Sequence, residues 1–588
     1  MALNPKLIRV ALGKESADIV IKNGKLVNVA SGEIYPADIA VKGERIASIG
    51  PLPEGTVGPD TRVIDAAGLY LAPGFIDAHI HIESSMLTYT EFSKMVVRRG
   101  TTAVASDLME VTIVSGIEGM RELLEESKGA PVRLYYPVPS FMEEETGLQT
   151  IGAVLRAENI AELLKLPEAV GLAEVLAPPV LAVSPQSAAV LALAEARGLT
   201  AEGHAPGVTG ERLNAYAGAG IRSDHESTNA QEALEKLRAG LRVLMREGSA
   251  STDLLACLEI VTKNGVDTRH IAMVSDDIDA LHIRDLGHLD HKVRMAVRAG
   301  VSPMAAIQMV TINPAESLKI DGEAGSIAPG KYADIVFLSS LEECAVEKVV
   351  TRGVLAVENG KLTRGYPAPA YSGRLLDTVR MARPVAAADL AVSAPTGAEA
   401  VRAWVIGASG TTLLTRRLEA ELPVTGGVVG ADMENDILHI ACVERYGKNG
   451  GIGKAFIHGV GLKEGAIAIS VGHDHHNITV AGADLEDMAL AVNRVRALNG
   501  GVVFACGGRV VEEIALPICG LLSDEPGEAV AEKLEKLIAA MNARGSHLPS
   551  PNVTLSFITL IFIPELAITD QGLFDVERFQ LIDPLIAR

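Results

Sequence analysis

Aromatic residues are scarce in this 588-residue chain: one Trp, ten Tyr and ten Phe make up only 4% of it. Hydrophobic residues still total 48%, so disorder is excluded and the cores must be built from Ala, Val, Leu and Ile. Cysteine is rarer. The five, Cys257, Cys344, Cys442, Cys506 and Cys519, are odd in number and scattered, without a C-x-x-C pair, which argues against disulfides and thiolate zinc clusters. No apolar run approaches the ~20 residues of a membrane-spanning helix. The opening "MALNPKLIRVALGKESADIV" lacks the charged, apolar and small-residue layout of a secretory signal. Nor is there a Lys/Arg block. With 53 basic against 74 acidic residues the formal net charge is −21, so nucleic acid and anionic membranes are not expected as partners. These absences leave a cytoplasmic protein of roughly two to four globular domains.

The chain is richer in pattern. From residue 17 to about 70, "ADIVIKNGKLVNV" and "ADIAVKGERIASIG" alternate apolar and polar residues around Asn23-Gly24 and Lys42-Gly43, which predicts hairpins with turns there. A similar piece, "GKYADIVFL", returns at Gly330. Residues 1–70 and 319–368 are therefore expected to close one small β-sandwich around an inserted domain. Between them eight short apolar segments alternate with helical stretches, starting at Gly74, Thr101, Val132, Ala169, Leu199, Ala219, Gly240 and His270. Eight strand–helix units over residues 71–318 predict an α/β architecture, a (β/α)8 barrel of the TIM type, with catalytic groups at the C-terminal strand ends. Residues 369–588 read as a separate C-terminal α+β domain.

The charged residues fall at those strand ends. In "FIDAHIHIESS", residues 75–85, His79, His81 and Glu83 alternate, and on a strand they would share one face. Glu174, His204, His225 and Asp276 each come late in a later segment. Singly, each has a dull explanation: a satisfied core histidine, a capping aspartate, a solvated glutamate. Jointly these would require a coincidence across five strands. Four histidines and two carboxylates at one barrel mouth make a metal site, binuclear because six ligands exceed what one catalytic ion needs. A further cluster, His473, Asp474, His475 and His476, lies in the strand-rich run "AIAISVGHDHHNITVAG". Neighbours on a strand face opposite sides, so at most two can chelate together. A hydrogen-bonded loop leaning over the barrel mouth is the favoured reading of that cluster.

The segments "PGFIDAHIHIESS", "GLAEV", "EGHAPGVTG", "SDHE", "SDD" and "INPAESLKIDGEAGSIAPGKYADIVFL" together resemble the amidohydrolase superfamily and, within it, the bacterial adenine deaminases. "HDHHNITVAG", "DMALAVNRV" and "LSFITLIFIPELAITDQGLFDV" extend the likeness through the C-terminal domain. The resemblance implies His79, His81, His204 and His225 as imidazole ligands and Glu174 as the bridge, where many relatives carry a carbamylated lysine. It implies Asp276 as both ligand and proton carrier, with Asp277 the alternative. The cofactors would be two divalent ions, manganese or iron(II), although the mixed nitrogen and oxygen set also suits zinc. The implied activity is hydrolysis of free adenine to hypoxanthine and ammonia by a metal-bound hydroxide, with a small purine base as partner and a homo-oligomer, a dimer, as the assembly.

Glu83 is the candidate contact to ring N1, with orientation of a ligand histidine as its other reading. Ser84, Asp277 and His473 complete the candidate substrate contacts. One departure stands out: the family's Asp-Pro-His-Glu is here Asp107-Leu108-Met109-Glu110, which leaves the choice between adenine and an N6-substituted adenine open. A cyclic-amide hydrolase on the same scaffold is the rival, but it would favour a bridging lysine where this chain has Glu174. A non-catalytic barrel would be expected to have lost ligands. The H-x-E and P-C-x-x-C signature of the zinc deaminases of nucleic acid bases is absent.

Overall fold

The computed structural model describes residues 4–587 apart from 141–146, 368, 411, 413 and 564. Strands Ile19–Asn28, Glu33–Lys42 and Arg45–Gly50 pair antiparallel at the start of the chain. The Lys42-Gly43 turn lies where the sequence predicts it. The Asn23-Gly24 turn does not: it is a bulge inside Ile19–Asn28, with Asn23 at φ 58° and the pairing register shifting between Ile21 and Gly24. One unpaired residue suffices to accommodate the left-handed Asn, so the strand runs on. After the barrel, strand Ile335–Leu338 pairs antiparallel with Tyr70–Pro73, placing Ile335 opposite Pro73. Both flanks of the barrel thus enter one sheet.

Each of the eight predicted segments contributes a strand to a single parallel sheet: Phe75–Asp77, Thr101–Ala105, Arg133–Pro139, Ala169–Leu176, Thr200–His204, Ser223–Asp224, Arg242–Arg246 and Ile271–Val274. Small aliphatic side chains such as Ile76, Ala78, Ala103, Ala105, Leu244, Ala272 and Val274 fill its interior. That is how a barrel is packed when aromatics are few. The sheet closes through two short parallel strands, Ile80–His81 and Asp276–Asp277, with Asp276 opposite Ile80. The Asp276 N–H also donates to the His79 carbonyl at 3.1 Å. The seam of the barrel thus carries three of the predicted ligands, His79, His81 and Asp276, while Glu174, His204 and His225 come from the ends of the fourth, fifth and sixth strands.

The outer wall holds a charge that is itself structural. Lys236 is fully buried and binds Asp224 and Glu232, the latter at 2.9 Å. Removing one member of a buried pair leaves the others uncompensated. Lys236→Met is expected to destabilise the chain by about 3–5 kcal/mol, read as a lower urea midpoint in equilibrium unfolding.

The C-terminal third is built on a nine-stranded sheet packed against helix Leu485–Ala497, with Ala441, Val443, Ala466, Ile478, Val492 and Val495 between them. Its strands are joined to the barrel by continuous apolar packing that includes Leu108, Met109, Leu521 and Leu522. Helix Pro551–Phe557 and the residues after it reach the barrel mouth, where Phe557, Leu560 and Ile563 line the opening. No helix among the described residues is long and apolar enough to cross a membrane. All five cysteines are buried and free, in line with the expected lack of disulfides.

Candidate metal centre

The first strand ends at Asp77, whose Oδ1 accepts the N–H groups of His79 and Ser275 at 3.3 and 3.2 Å. This pins the ends of the first and eighth strands together, so that His79 and His81 emerge beside Asp276. Glu83 does not share their face. After His81 the chain enters a 3-10 turn, Ile82–Ser85, which breaks the strand alternation. Glu83 turns into the core, where its Oε1 accepts the Val111 N–H at 3.4 Å, and it does not line the mouth. Burial, with Glu110 and Asp107 nearby, pushes its carboxyl up to about 8. Ser84 donates its hydroxyl to Asp277 Oδ1.

Glu174 projects from the fourth strand and is the hub. Its Oε1 lies 3.5 Å from His79 Nε2, 3.5 Å from His81 Nε2 and 3.4 Å from His225 Nε2, and its Oε2 lies 2.7 Å from His204 Nδ1. Yet Glu174 Oε1 and His204 Nδ1, both buried, have no hydrogen-bond partner. Lone pairs aimed at a shared point without hydrogen-bond alignment are what a cation site requires. Among the described residues, four groups could hold an ion: three overlap, His79 with His81 and Glu174, Glu174 with His204 and His225, and His79 with His225 and Asp276, and the fourth, Glu110 with His473 and Asp474, stands apart from them. All six sequence-predicted ligands are brought together, and the donor set fits two divalent ions sharing Glu174.

Two further features mark the site. Glu174 and Asp276 both adopt left-handed backbone, φ 51° and 57°, a conformation that costs of order 1–3 kcal/mol per residue and clusters at functional sites. Gly203 lets Tyr216 reach the strand ends, since a Cβ there would sit 2.5 Å from the Tyr216 hydroxyl. That hydroxyl accepts the His204 N–H at 3.0 Å and donates to the Val175 carbonyl, locking the two ligand-bearing strands in register.

Several residues that matter here were not singled out from the sequence. Glu202 Oε1 lies 2.9 Å from His79 Nδ1 and 3.2 Å from His225 Nδ1, and Asp107 Oδ1 lies 3.4 Å from His81 Nδ1. These carboxylates hold the far ring nitrogens and turn the near ones inward. Glu202 stands two residues before His204 on one strand, an alternation that could have flagged it. Arg246, fully buried at the end of the seventh strand, contacts Glu226 at 2.8 Å, Asp276 at 3.0 Å and Asp253 at 3.1 Å. Burial would raise the Asp276 carboxyl, but hydrogen bonding to His79 and the Arg246 charge hold it well below the usual range. Burial likewise opposes ionisation of Glu174, and His204 and His225 outweigh it.

The C-terminal third supplies the remaining wall. His473 to His476 sit in a turn between strands Ala466–Ile469 and Ile478–Gly482, not on a strand, so the two-face limit does not apply. His473 Nδ1 lies 2.8 Å from Glu110 Oε1, its Nε2 lies 3.3 Å from Asp277 Oδ1, and its ring stacks on Phe557 at 5.5 Å. His476 binds the other Glu110 oxygen. Burial opposes ionisation of Glu110, but these two histidines hold it well below the usual range. His475 faces away, toward Cys442 at 3.8 Å. His81, Glu174, His204, His225, Asp276, Asp277 and His473 all line the mouth, together with Met109, Glu110 and Asp474.

Comparison with known proteins agrees with this geometry. Residues 70–362 match the amidohydrolase family, and residues 412–580 match the adenine deaminase C-terminal domain. Among curated relatives, adenine deaminase of Moorella thermoacetica is 41% identical over 580 residues, covering 98% of this chain and 97% of the relative. Adenine deaminase of Mesorhizobium japonicum is 40% identical, covering 98% and 96%, and adenine deaminase 3 of Rhizobium meliloti is 39% identical, covering 99% and 98%. A barrel with six candidate ligands converging at its mouth, continued by this C-terminal region and matched over nearly its whole length, belongs to the adenine deaminase family of metal-dependent amidohydrolases.

Proposed function

We propose that this chain hydrolyses free adenine to hypoxanthine and ammonia at the barrel mouth, with His79, His81, Glu174, His204, His225 and Asp276 holding two divalent ions. The observation that carries the reading is the convergence of three imidazole Nε2 atoms on one Glu174 oxygen. When bound, the ions supply the charge that makes water a competent nucleophile near neutral pH. Manganese and iron(II) both suit this donor set. The protein supplies position and proton traffic. Asp276, kept ionised by Arg246 and His79, takes a proton from the water attacking C6 and delivers it to the amine, which leaves as ammonia while the oxygen stays on C6. Asp277 is less suited to that role, because Ser84 and His473 already engage its Oδ1. Glu83 Oε1 accepts the Val111 N–H and the residue is not among those lining the mouth, which favours a positioning role over the N1 contact. The cyclic-amide alternative lacks its lysine, for the fourth strand Ala169–Leu176 contains none.

The test is kcat/KM for adenine, N6-methyladenine and adenosine on one metal-loaded sample. Adenine is expected to exceed adenosine by ~10⁴-fold or more. N6-methyladenine is expected within ~10–200-fold of adenine, since one methyl group changes binding by ~1–3 kcal/mol. Adenosine turned over as well as adenine would sink the free-base assignment. Absence of ammonia from all three would sink the deaminase.

A further inference from the structure

The C-terminal turn fixes what Glu110 can do. His476 Nδ1 accepts the Gly472 N–H at 3.1 Å, so the ring proton sits on Nε2, which donates to Glu110 Oε2. His473 stands between two carboxylates, with Nδ1 2.8 Å from Glu110 Oε1 and Nε2 3.3 Å from Asp277 Oδ1, so it donates to Glu110 as well. With a donor on each oxygen, and with His81 Nδ1 4.0 Å from Oε1, Glu110 is held as an acceptor. It is fully buried, it lines the mouth, and each carboxylate oxygen keeps a second lone pair. A group in this state can take an N–H and cannot give one.

On the reading that a purine base occupies this mouth, we propose that Glu110 is the specificity-determining acceptor for the imidazole N–H of the substrate, and that the free base is chosen because only the free base has that N–H. Adenine carries one imidazole proton, on N9 or on N7. With Glu110 at the N7 edge, a substituent at N9, ribose or merely methyl, rules out the N7–H tautomer and leaves the N7 lone pair facing a buried carboxylate. Sites that lose a required hydrogen bond in this way separate substrates by about 10⁴–10⁵-fold. A steric wall against ribose would behave differently, because it would respond to the size of the substituent and not to the charge of Glu110.

The experiment compares adenine with 9-methyladenine on manganese-loaded wild type and on Glu110→Gln, by turnover and by calorimetric binding, with circular dichroism to establish the fold. Wild type is expected to prefer adenine by about 10⁴-fold. Glu110→Gln has the same shape but presents an amide that can donate to the imidazole lone pair. It is expected to bring the two compounds within about 100-fold of each other. If the preference is unchanged in Glu110→Gln, walls rather than charge reject N9 substituents and the proposal is overturned. Wild type that handles 9-methyladenine within about tenfold of adenine overturns it as well. Binding that follows Glu110 with no ammonia released from either compound would overturn the deaminase and leave the Glu110 assignment standing, so the two failures are distinguishable.

Discussion

Glu174→Ala is expected to yield a folded protein that has lost most of its metal and shows no measurable turnover. Of the four candidate ion groups two include Glu174 and a third, His79 with His225 and Asp276, depends on histidines it gathers, and among the described residues no other carboxylate has two oxygens reaching four imidazoles. Without it His204 and His225 keep only Glu226 as a shared anion, 3.5 and 3.2 Å away, so the loss extends beyond one ligand. The fold should survive. The side chain ends in the mouth rather than in the packed interior, and the barrel closes through Ile80, His81, Asp276 and Asp277. The left-handed φ of 51° is unfavourable for Glu and Ala alike, so the substitution leaves that backbone strain unchanged. Elemental analysis of the purified variant decides it. Two ions per chain with activity intact would remove Glu174 from the site.

Asp276→Asn should separate metal binding from chemistry. The amide keeps the shape and one oxygen donor, so much of the metal is expected to remain, while the proton carrier is gone and kcat falls by ~10²–10⁴-fold or more. Arg246 adds to the effect, since its guanidinium 3.0 Å away is matched to a carboxylate and would face a neutral amide. Asp277→Asn is the control. Its oxygen is tied to Ser84 and faces His473, so it should perturb KM more than kcat. A crippled Asp277→Asn beside a competent Asp276→Asn would reverse the two roles.

The barrel and the convergence of its candidate ligands were legible because each signal was local. A β-branched or aliphatic run ending in His, Glu or Asp carries both the strand and the position of its last residue at the mouth, and eight such runs need no knowledge of distant contacts. What escaped depended on backbone detail or on partners far along the chain. Glu83 continues the alternation of His79 and His81 on paper, and only the turn at Ile82–Ser85 takes it off their face. Asn23-Gly24 has the composition of a turn and is a bulge, because the partner strand accepts one extra residue there. Glu110 draws its meaning from His473 and His476, and Arg246 from Glu226 and Asp276, pairings that no periodicity records.

The same long pairing has a consequence in time. Glu110 and His476 are 366 residues apart, and at typical synthesis rates about 20–70 s pass between the emergence of the first and the second. The barrel strands, complete by Val274, can assemble on the ribosome well before the turn exists. During that interval Glu110 is without its two donors and the mouth without Phe557. A nascent or prematurely terminated barrel thus holds its candidate ligands but lacks the donors to Glu110 and the wall formed by His473 and Phe557, which arrive only when the last third of the chain has been made and docked.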